Sequence, residues 1–123
     1  MEYLIDENRP IFGQIAERIE EDILASRLAE EEQVPSTNQF AALYQINPAT
    51  AAKGVNLLVD QGILYKKRGL GMYVASGARA RLLEKRREQF FEQYVVTMLQ
   101  EAEKLGITTE QLTEMIQRRV KVP

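Results

Sequence analysis

Isoleucine recurs at every fourth position near the start of the chain, at Ile11, Ile15, Ile19 and Ile23, and acidic residues fill many of the positions between them. Apolar residues with this spacing lie along one face of an α-helix. The pattern predicts a first helix that packs its isoleucine face into a core and exposes its acidic face. The short apolar run before it, at residues 3–5, is compatible with a brief strand.

Two capping patterns mark the beginnings of two further helices. Ser36 is followed three residues later by Gln39, which is the spacing of a capping box, and a short second helix is expected after it. Asn47 precedes Pro48, an N-cap residue before a proline at the first helical position. This pair predicts a third helix, and Gly62 ends it.

The remaining chain predicts a hairpin and then a helical tail. Residues 63–67 and 72–75 are rich in β-branched and aromatic side chains and are joined by a glycine-containing turn. Apolar positions from about residue 79 to 105 predict one long helix, and Thr108 caps a shorter last helix.

The order of these elements predicts a mainly α fold with a small β-hairpin, which is an α+β class. Helix, helix, tight turn, helix and hairpin is the layout of a winged helix-turn-helix, in which the third helix can enter a major groove. We therefore expect a winged helix-turn-helix DNA-binding domain over residues 1–76 and a two-helix dimerisation tail over residues 77–123.

Composition excludes several classes of function. The chain has no cysteine and no histidine, so it lacks disulfides, thiol chemistry, the commonest general base and the commonest metal ligand. It carries no phosphate-cradling motif either. We expect no enzyme activity, no catalytic residue, no metal and no cofactor. The sequence has no apolar run of roughly 20 residues, which a membrane span needs, and no signal segment, so we expect a cytoplasmic protein without membrane contact.

Charge is unevenly distributed along the chain. The net charge of −2 taken alone argues against a nucleic-acid partner. Residues 1–33 hold 3 basic and 10 acidic side chains, whereas residues 34–74 hold 4 basic and 1 acidic. A further basic group follows the hairpin, either as a solvated helix face or as phosphate contacts: Arg79, Arg81, Lys85, Arg86 and Arg87.

Candidate DNA-binding residues lie on the second and third helices and on the hairpin. On the exposed side of the third helix, Thr50 can contact a phosphate or a thymine methyl group, and Lys53 can reach a guanine edge or a phosphate. The cationic hairpin tip can lie along a DNA backbone or in a minor groove. The full candidate set is Ser36, Thr37, Asn38, Asn47, Ala49, Thr50, Lys53, Lys67, Arg68, Gly69, Leu70 and Gly71.

Each of these features also has a purely structural interpretation. Ser36 and Asn47 are ordinary helix caps, and lysines on an edge strand discourage aggregation. Only the order and spacing of the features together favour DNA. A protein-interaction module that reuses the winged helix without DNA therefore stays as the alternative, supported by the acidic first helix and the net charge.

Five short segments, in this order and at this spacing, resemble the DNA-binding domain of GntR-family bacterial regulators. They are residues 10–15 (PIFGQI), 34–36 (VPS), 46–53 (INPATAAK), 60–63 (DQGI) and 68–74 (RGLGMYV). The short helical tail resembles the YtrA-like subfamily. The resemblance implies that Ser36, Thr50, Lys53 and residues 68–71 contact DNA, and that the tail helices pair two subunits.

Three positions depart from the family pattern. Asn38 occupies the position two residues after Ser36, where the family usually has an arginine. We expect this change to remove or weaken one DNA contact. Gln45 stands where the turn often has glycine, and Glu31 where a Pro-Gly turn is usual. The last two concern local turn geometry rather than the fold.

The tail carries more apolar surface than a small domain can cover. We expect it to pair two copies of the chain, although it could instead pack on the first helix as ordinary core. A two-fold dimer would present two recognition helices to a pseudo-palindromic operator. The candidate dimerisation residues are Phe90, Phe91, Tyr94, Val95, Met98 and Leu99.

The sequence therefore predicts a DNA-binding transcription regulator that acts as a repressor. Its predicted partners are a double-stranded DNA operator and a second copy of the chain. It leaves open the operator sequence, the regulated genes and the existence of a small-molecule effector. Without a separate ligand domain, an effector would bind at the dimer interface or between the hairpin and the tail.

Overall fold

The computed structural model describes residues 5–121, and the side chains up to residue 119. The first two positions of the apolar run at residues 3–5, Tyr3 and Leu4, lie outside the described residues. The mainly helical α+β fold is confirmed. Its elements are α1 (Ile11–Leu24), α2 (Thr37–Tyr44), α3 (Pro48–Asp60), β1 (Leu64–Lys67), β2 (Gly71–Val74), α4 (Ala78–Phe90), a π-helical segment (Phe91–Val96), α5 (Thr97–Lys104) and α6 (Thr109–Lys121).

The chain divides into two compact units, an N-terminal unit up to residue 84 and a C-terminal unit from residue 85. The division falls within α4, later than the boundary at residue 77 that the sequence suggests. The reason is that Ala78 and Leu82, in the first turns of α4, are fully buried and belong to the core of the N-terminal unit.

The core of the N-terminal unit forms where α1 packs against α3. The isoleucine face of α1 is buried as its spacing predicts, and α3 buries the stripe opposite its polar side. The two helices approach closely at Gly54, where an added Cβ atom would lie 2.5 Å from the Phe12 carbonyl oxygen. The core residues that these two helices contribute include Ile15, Ile19, Ile23, Ala51, Val55 and Leu58.

Both predicted N-caps form. The Ser36 hydroxyl accepts a hydrogen bond from the Gln39 amide at 3.1 Å, and the Ser36 amide donates to the Gln39 side chain at 2.7 Å. The Asn47 side chain accepts from the Ala49 amide at 2.8 Å, with Pro48 at the first helical position. These caps set where α2 and α3 begin, because they satisfy amides that have no partner within the helix.

Among the described residues, three that are not glycine have a left-handed φ, and they are Ser26, Glu31 and Gln45. Gln45, at the end of α2, has φ 55° and ψ 49°, and Glu31 has φ 69°. These are the positions where the family pattern has glycine or Pro-Gly. Both positions therefore form a turn that glycine would adopt more easily. A larger side chain in this backbone conformation has a modest conformational cost.

β1 and β2 form an antiparallel hairpin, called the wing below, in which Leu64 pairs with Val74 and Lys67 with Gly71. A third stretch of backbone joins β2 on its other side. The Glu31 amide donates to the Val74 carbonyl at 2.8 Å, and the Val34 amide donates to the Met72 carbonyl at 2.9 Å. This pairing was not predicted from the sequence, because the glutamate-rich stretch before residue 34 has no alternating apolar pattern.

The described part of the C-terminal unit contains the end of α4, the π-helical segment, α5 and α6. Ala102 and Leu112 are its buried apolar residues, and Thr108 caps α6 with Gln111 as predicted. The predicted long helix is helical throughout, but Phe91–Val96 is wound as a π-helix. Apolar spacing did not predict this wider turn, which depends on a local change in backbone hydrogen bonding.

Candidate nucleic-acid interface

One side of α3 is open to solvent. Ala49 and Lys53 are exposed and Thr50 is half-buried, whereas Ala51 and Val55 are buried. This agrees with the sequence prediction that Ala49, Thr50 and Lys53 lie on the side of α3 opposite its buried stripe. Because Ala49 and Thr50 are small, the first turn of α3 can approach another surface closely.

The ammonium group of Lys53 packs on an aromatic ring. Its Nζ atom lies 4.2 Å from the ring centroid of Phe12, which is in the first turn of α1. A cation at this distance is attracted to the negative face of the ring. Beside the pair lies an open hollow of about 510 Å³, lined by Phe12, Ala49, Ala52, Lys53, Asn56, Leu57 and Asp60.

The predicted binding residues at the beginnings of α2 and α3 are mostly exposed. Ser36 and Asn47 use their side-chain oxygens as caps, which leaves the hydroxyl proton of Ser36 and the amide protons of Asn47 as donors. Thr37 is half-buried and Asn38 is exposed in the first turn of α2. Ser36 and Asn47 therefore combine a capping role with donors that remain available at an exposed surface.

The tip of the wing is exposed and cationic. Lys67 places its Nζ atom 4.4 Å from the ring centroid of Tyr73 on the opposite strand, and Arg68 beyond it is exposed. Leu70 is 60 % exposed. Gly69, with φ 75°, adopts the left-handed conformation that closes this tight turn.

Gln33 holds the wing tip from the neighbouring stretch. Its side-chain amide donates to the Leu70 carbonyl at 2.7 Å. Gly71 has φ 103°, and a Cβ atom there would lie 2.8 Å from the Gln33 Nε2 atom. Gly71 therefore provides both the backbone conformation and the space for this contact. Sequence reasoning missed Gln33, since the contact joins residues far apart in the chain.

Gln33→Met keeps the side-chain length and removes the hydrogen-bond donor. We expect it to lower operator affinity about two- to tenfold, which is the usual net contribution of one hydrogen bond. The physical reason is a more mobile wing tip. Fluorescence anisotropy with operator DNA measures the change, and thermal unfolding checks that the fold is retained. Unchanged affinity in a folded variant would show that the wing does not need this contact.

A second contact joins the base of the wing to the same stretch. The Tyr65 hydroxyl donates to the Glu31 carboxylate. This hydrogen bond, which would be lost on ionisation, is the main reason that the pKa of Tyr65 lies above its ordinary value of 10.0. The contact anchors β1 at the left-handed turn formed by Glu31.

The basic group after the wing includes one arginine with a structural role. The Arg81 guanidinium donates to the Gly62 carbonyl at 2.8 Å and to the Ser76 carbonyl at 3.1 Å. It thereby joins the beginning of α4 to the end of α3, and we do not include it among the phosphate-binding candidates. Arg79 is exposed.

The predicted dimerisation residues lie in the C-terminal unit, and most are exposed in the single chain. Phe90 is 58 %, Phe91 52 % and Tyr94 62 % exposed, while Val95 and Met98 are half-buried. The Phe90 and Tyr94 rings pack against each other at a centroid distance of 5.5 Å. Further exposed apolar side chains in this unit are Leu99, Leu105, Met115 and Ile116.

Residues 12–74, which span the capped helices and the wing, match the family model described as bacterial regulatory proteins of the gntR family. This chain belongs to the GntR family. The HTH-type transcriptional repressor YtrA of Bacillus subtilis (strain 168) is 29% identical over 107 residues, which cover 87% of this chain and 82% of YtrA.

Solved structures agree with this assignment. A GntR-family transcriptional regulator from Bacteroides thetaiotaomicron is 33% identical with a TM-score of 0.76, covering 90% of this chain and 96% of that one. The AraR DNA-binding domain in complex with operator ORX1 is 26% identical with a TM-score of 0.53, covering 61% of this chain and 92% of that one.

The chain is thus a YtrA-like GntR regulator, a DNA-binding transcription regulator rather than an enzyme. This confirms the resemblance that the five sequence segments indicate. Within residues 5–121 no helix is both long enough and apolar enough to cross a membrane.

Proposed function

We propose that this GntR regulator is a repressor that binds a pseudo-palindromic operator as a homodimer, with α3 in the major groove and the wing on the DNA backbone or in a minor groove. The observation that carries the proposal is the open face of α3, where two small residues, Ala49 and Thr50, precede the exposed cation of Lys53. The repressor activity of the relative YtrA supports the direction of control. Since bacterial DNA lies in the cytoplasm, the protein acts there.

Each group of residues has a distinct part in this proposal. Thr50 and Lys53 contact bases or phosphates in the major groove. Ser36, Thr37, Asn38 and Asn47 donate to phosphates beside the beginnings of the two helices. The wing residues Lys67, Arg68, Gly69, Leu70 and Gly71 follow the backbone or a minor groove.

The exposed apolar side chains of the C-terminal unit support a homodimer. Three aromatic rings that are each more than half exposed are costly to leave in water, and a second copy of the chain offers the same surface. Pairing also brings two recognition helices to one operator. Each subunit then needs only a modest affinity for DNA. Such an affinity is expected of the N-terminal unit, because its few interface cations are balanced by the acidic side chains of α1.

A gel-shift series with rising salt tests the proposal on the DNA upstream of the gene. Affinity should fall steeply, because each neutralised phosphate releases a counterion. The variant carrying Thr50→Ala and Lys53→Ala should bind at least about tenfold more weakly, within the range of roughly 1–3 kcal/mol for a well-placed base contact. Thr97→Ala with Lys104→Ala, two exposed positions in α5, is a matched control outside the proposed interface.

Absent or salt-insensitive binding by the unaltered protein would count against the proposal. A protein partner that binds the Thr50 and Lys53 variant normally would then favour the protein-interaction module. The two hypotheses are separated by the same pair of substitutions.

A further inference from the structure

Lys53 already contacts an aromatic ring in the unbound chain. Its ammonium group lies on the Phe12 ring at 4.2 Å, yet its side chain remains exposed. A free lysine side chain samples many rotamers and loses that freedom when it binds. A contact that already restricts the rotamers in the unbound protein reduces this loss.

The position of the ring is itself fixed by the packing of α1 on α3. An added Cβ atom at Gly54 would lie 2.5 Å from the Phe12 carbonyl oxygen and 3.0 Å from the Ile15 Cβ atom. The first turn of α1 therefore sits directly against the residue that follows Lys53. Because Gly54 has no side chain, the backbone of Phe12 can come close enough for its ring to reach the ammonium group.

We propose that Phe12 is a specificity-determining positioning residue, which holds the Lys53 ammonium group at a defined place on the DNA-facing side of α3. The inference rests on the proposed function. A fixed ammonium group can select one base edge, such as the O6 and N7 acceptors of guanine, whereas a mobile one follows the phosphates of any sequence. Phe12 acts through Lys53 and need not touch DNA itself.

The test compares Phe12→Leu, which keeps an apolar side chain and removes the ring, with Phe12→Tyr, which keeps the ring. Affinity is measured for the operator fragment and for an unrelated duplex at one salt concentration. Phe12→Leu should lose about two- to fivefold in operator affinity, as expected for an exposed cation–π contact, and little on the unrelated duplex. Phe12→Tyr should retain the operator preference of the unaltered protein.

A double-mutant cycle with Lys53→Met isolates the interaction from a merely structural effect. In the Lys53→Met background, Phe12→Leu should cause no further loss of operator preference. An equal loss on both duplexes, or the same loss with and without Lys53, would overturn the inference and assign Phe12 to the core alone. If thermal unfolding shows that Phe12→Leu is unfolded, Phe12→Met provides the same comparison.

Failure of the inference is distinguishable from failure of the proposed function. If the unaltered protein binds neither duplex, the proposed function is wrong. If it prefers the operator and Phe12→Leu keeps that preference in full, only the role of Phe12 is wrong.

Discussion

Replacing Phe91 and Tyr94 together with glutamate should convert the protein to monomers and lower its operator affinity on the order of 100-fold or more, the usual gain from binding two linked sites. Both side chains lie in the π-helical segment and are more than half exposed in the single chain. Buried charges without partners are strongly unfavourable in an apolar interface. Light scattering after size exclusion measures the mass, and anisotropy measures operator binding.

The matched control carries Gln93→Glu and Gln100→Glu, which adds the same charge at two polar, exposed positions of the same unit. It should remain dimeric and should lose only the modest affinity expected from added negative charge. A monomeric mass for the unaltered protein at micromolar concentration would contradict the dimer. A dimeric glutamate variant would show that pairing uses another surface.

Local patterns were sufficient to predict most of the fold. The isoleucine spacing of α1, the Ser36 capping box and the Asn47-Pro48 start of α3 each depend on residues within one or two helical turns. Such features are present in the sequence because the interacting residues are neighbours in the chain. The wing was predicted for the same reason.

Contacts between distant residues account for what sequence reasoning missed. Gln33 donates to the Leu70 carbonyl, and the Phe12 ring contacts Lys53. Each pair is far apart in the sequence, so no local sequence pattern indicates the contact. The candidate site could therefore be predicted as a set of exposed residues on α3 and the wing. The residues that orient that set could not be predicted, because their role depends on tertiary packing.

The cations of the N-terminal unit differ in the groups they meet. Arg9 lies 3.2 Å from Glu17, and Arg27 lies 2.7 Å from Asp22, so the arginines of this acidic region pair with carboxylates. Lys53 and Lys67 lie on aromatic rings instead, and neither is in an ion pair within the described part of the chain. A ring orients a cation without neutralising it, so both charges remain available to DNA.

The contact between α1 and α3 provides the second large expected effect. Gly54→Ala should lower the free energy of unfolding by about 1–3 kcal/mol, the usual cost of forcing an extra group into a packed core. The added methyl group would meet the Phe12 carbonyl oxygen and the Ile15 side chain, and backbone cannot give way as a flexible side chain can. Chemical denaturation monitored by circular dichroism measures the change.

Gly13→Ala is the matched control, because it adds the same methyl group to α1 where, within the described part of the chain, no atom beyond the adjacent residues and the helix's own backbone lies within 4 Å. It should raise stability by roughly 0.5 kcal/mol, since alanine restricts the unfolded chain more than glycine does. Opposite signs for the two substitutions would show that space rather than helix propensity decides the outcome. A gain in stability for Gly54→Ala would mean that α1 can move away from α3 at little cost. Such movement would also withdraw the Phe12 ring from Lys53, so the stability of this contact and the placement of the cation are expected to change together.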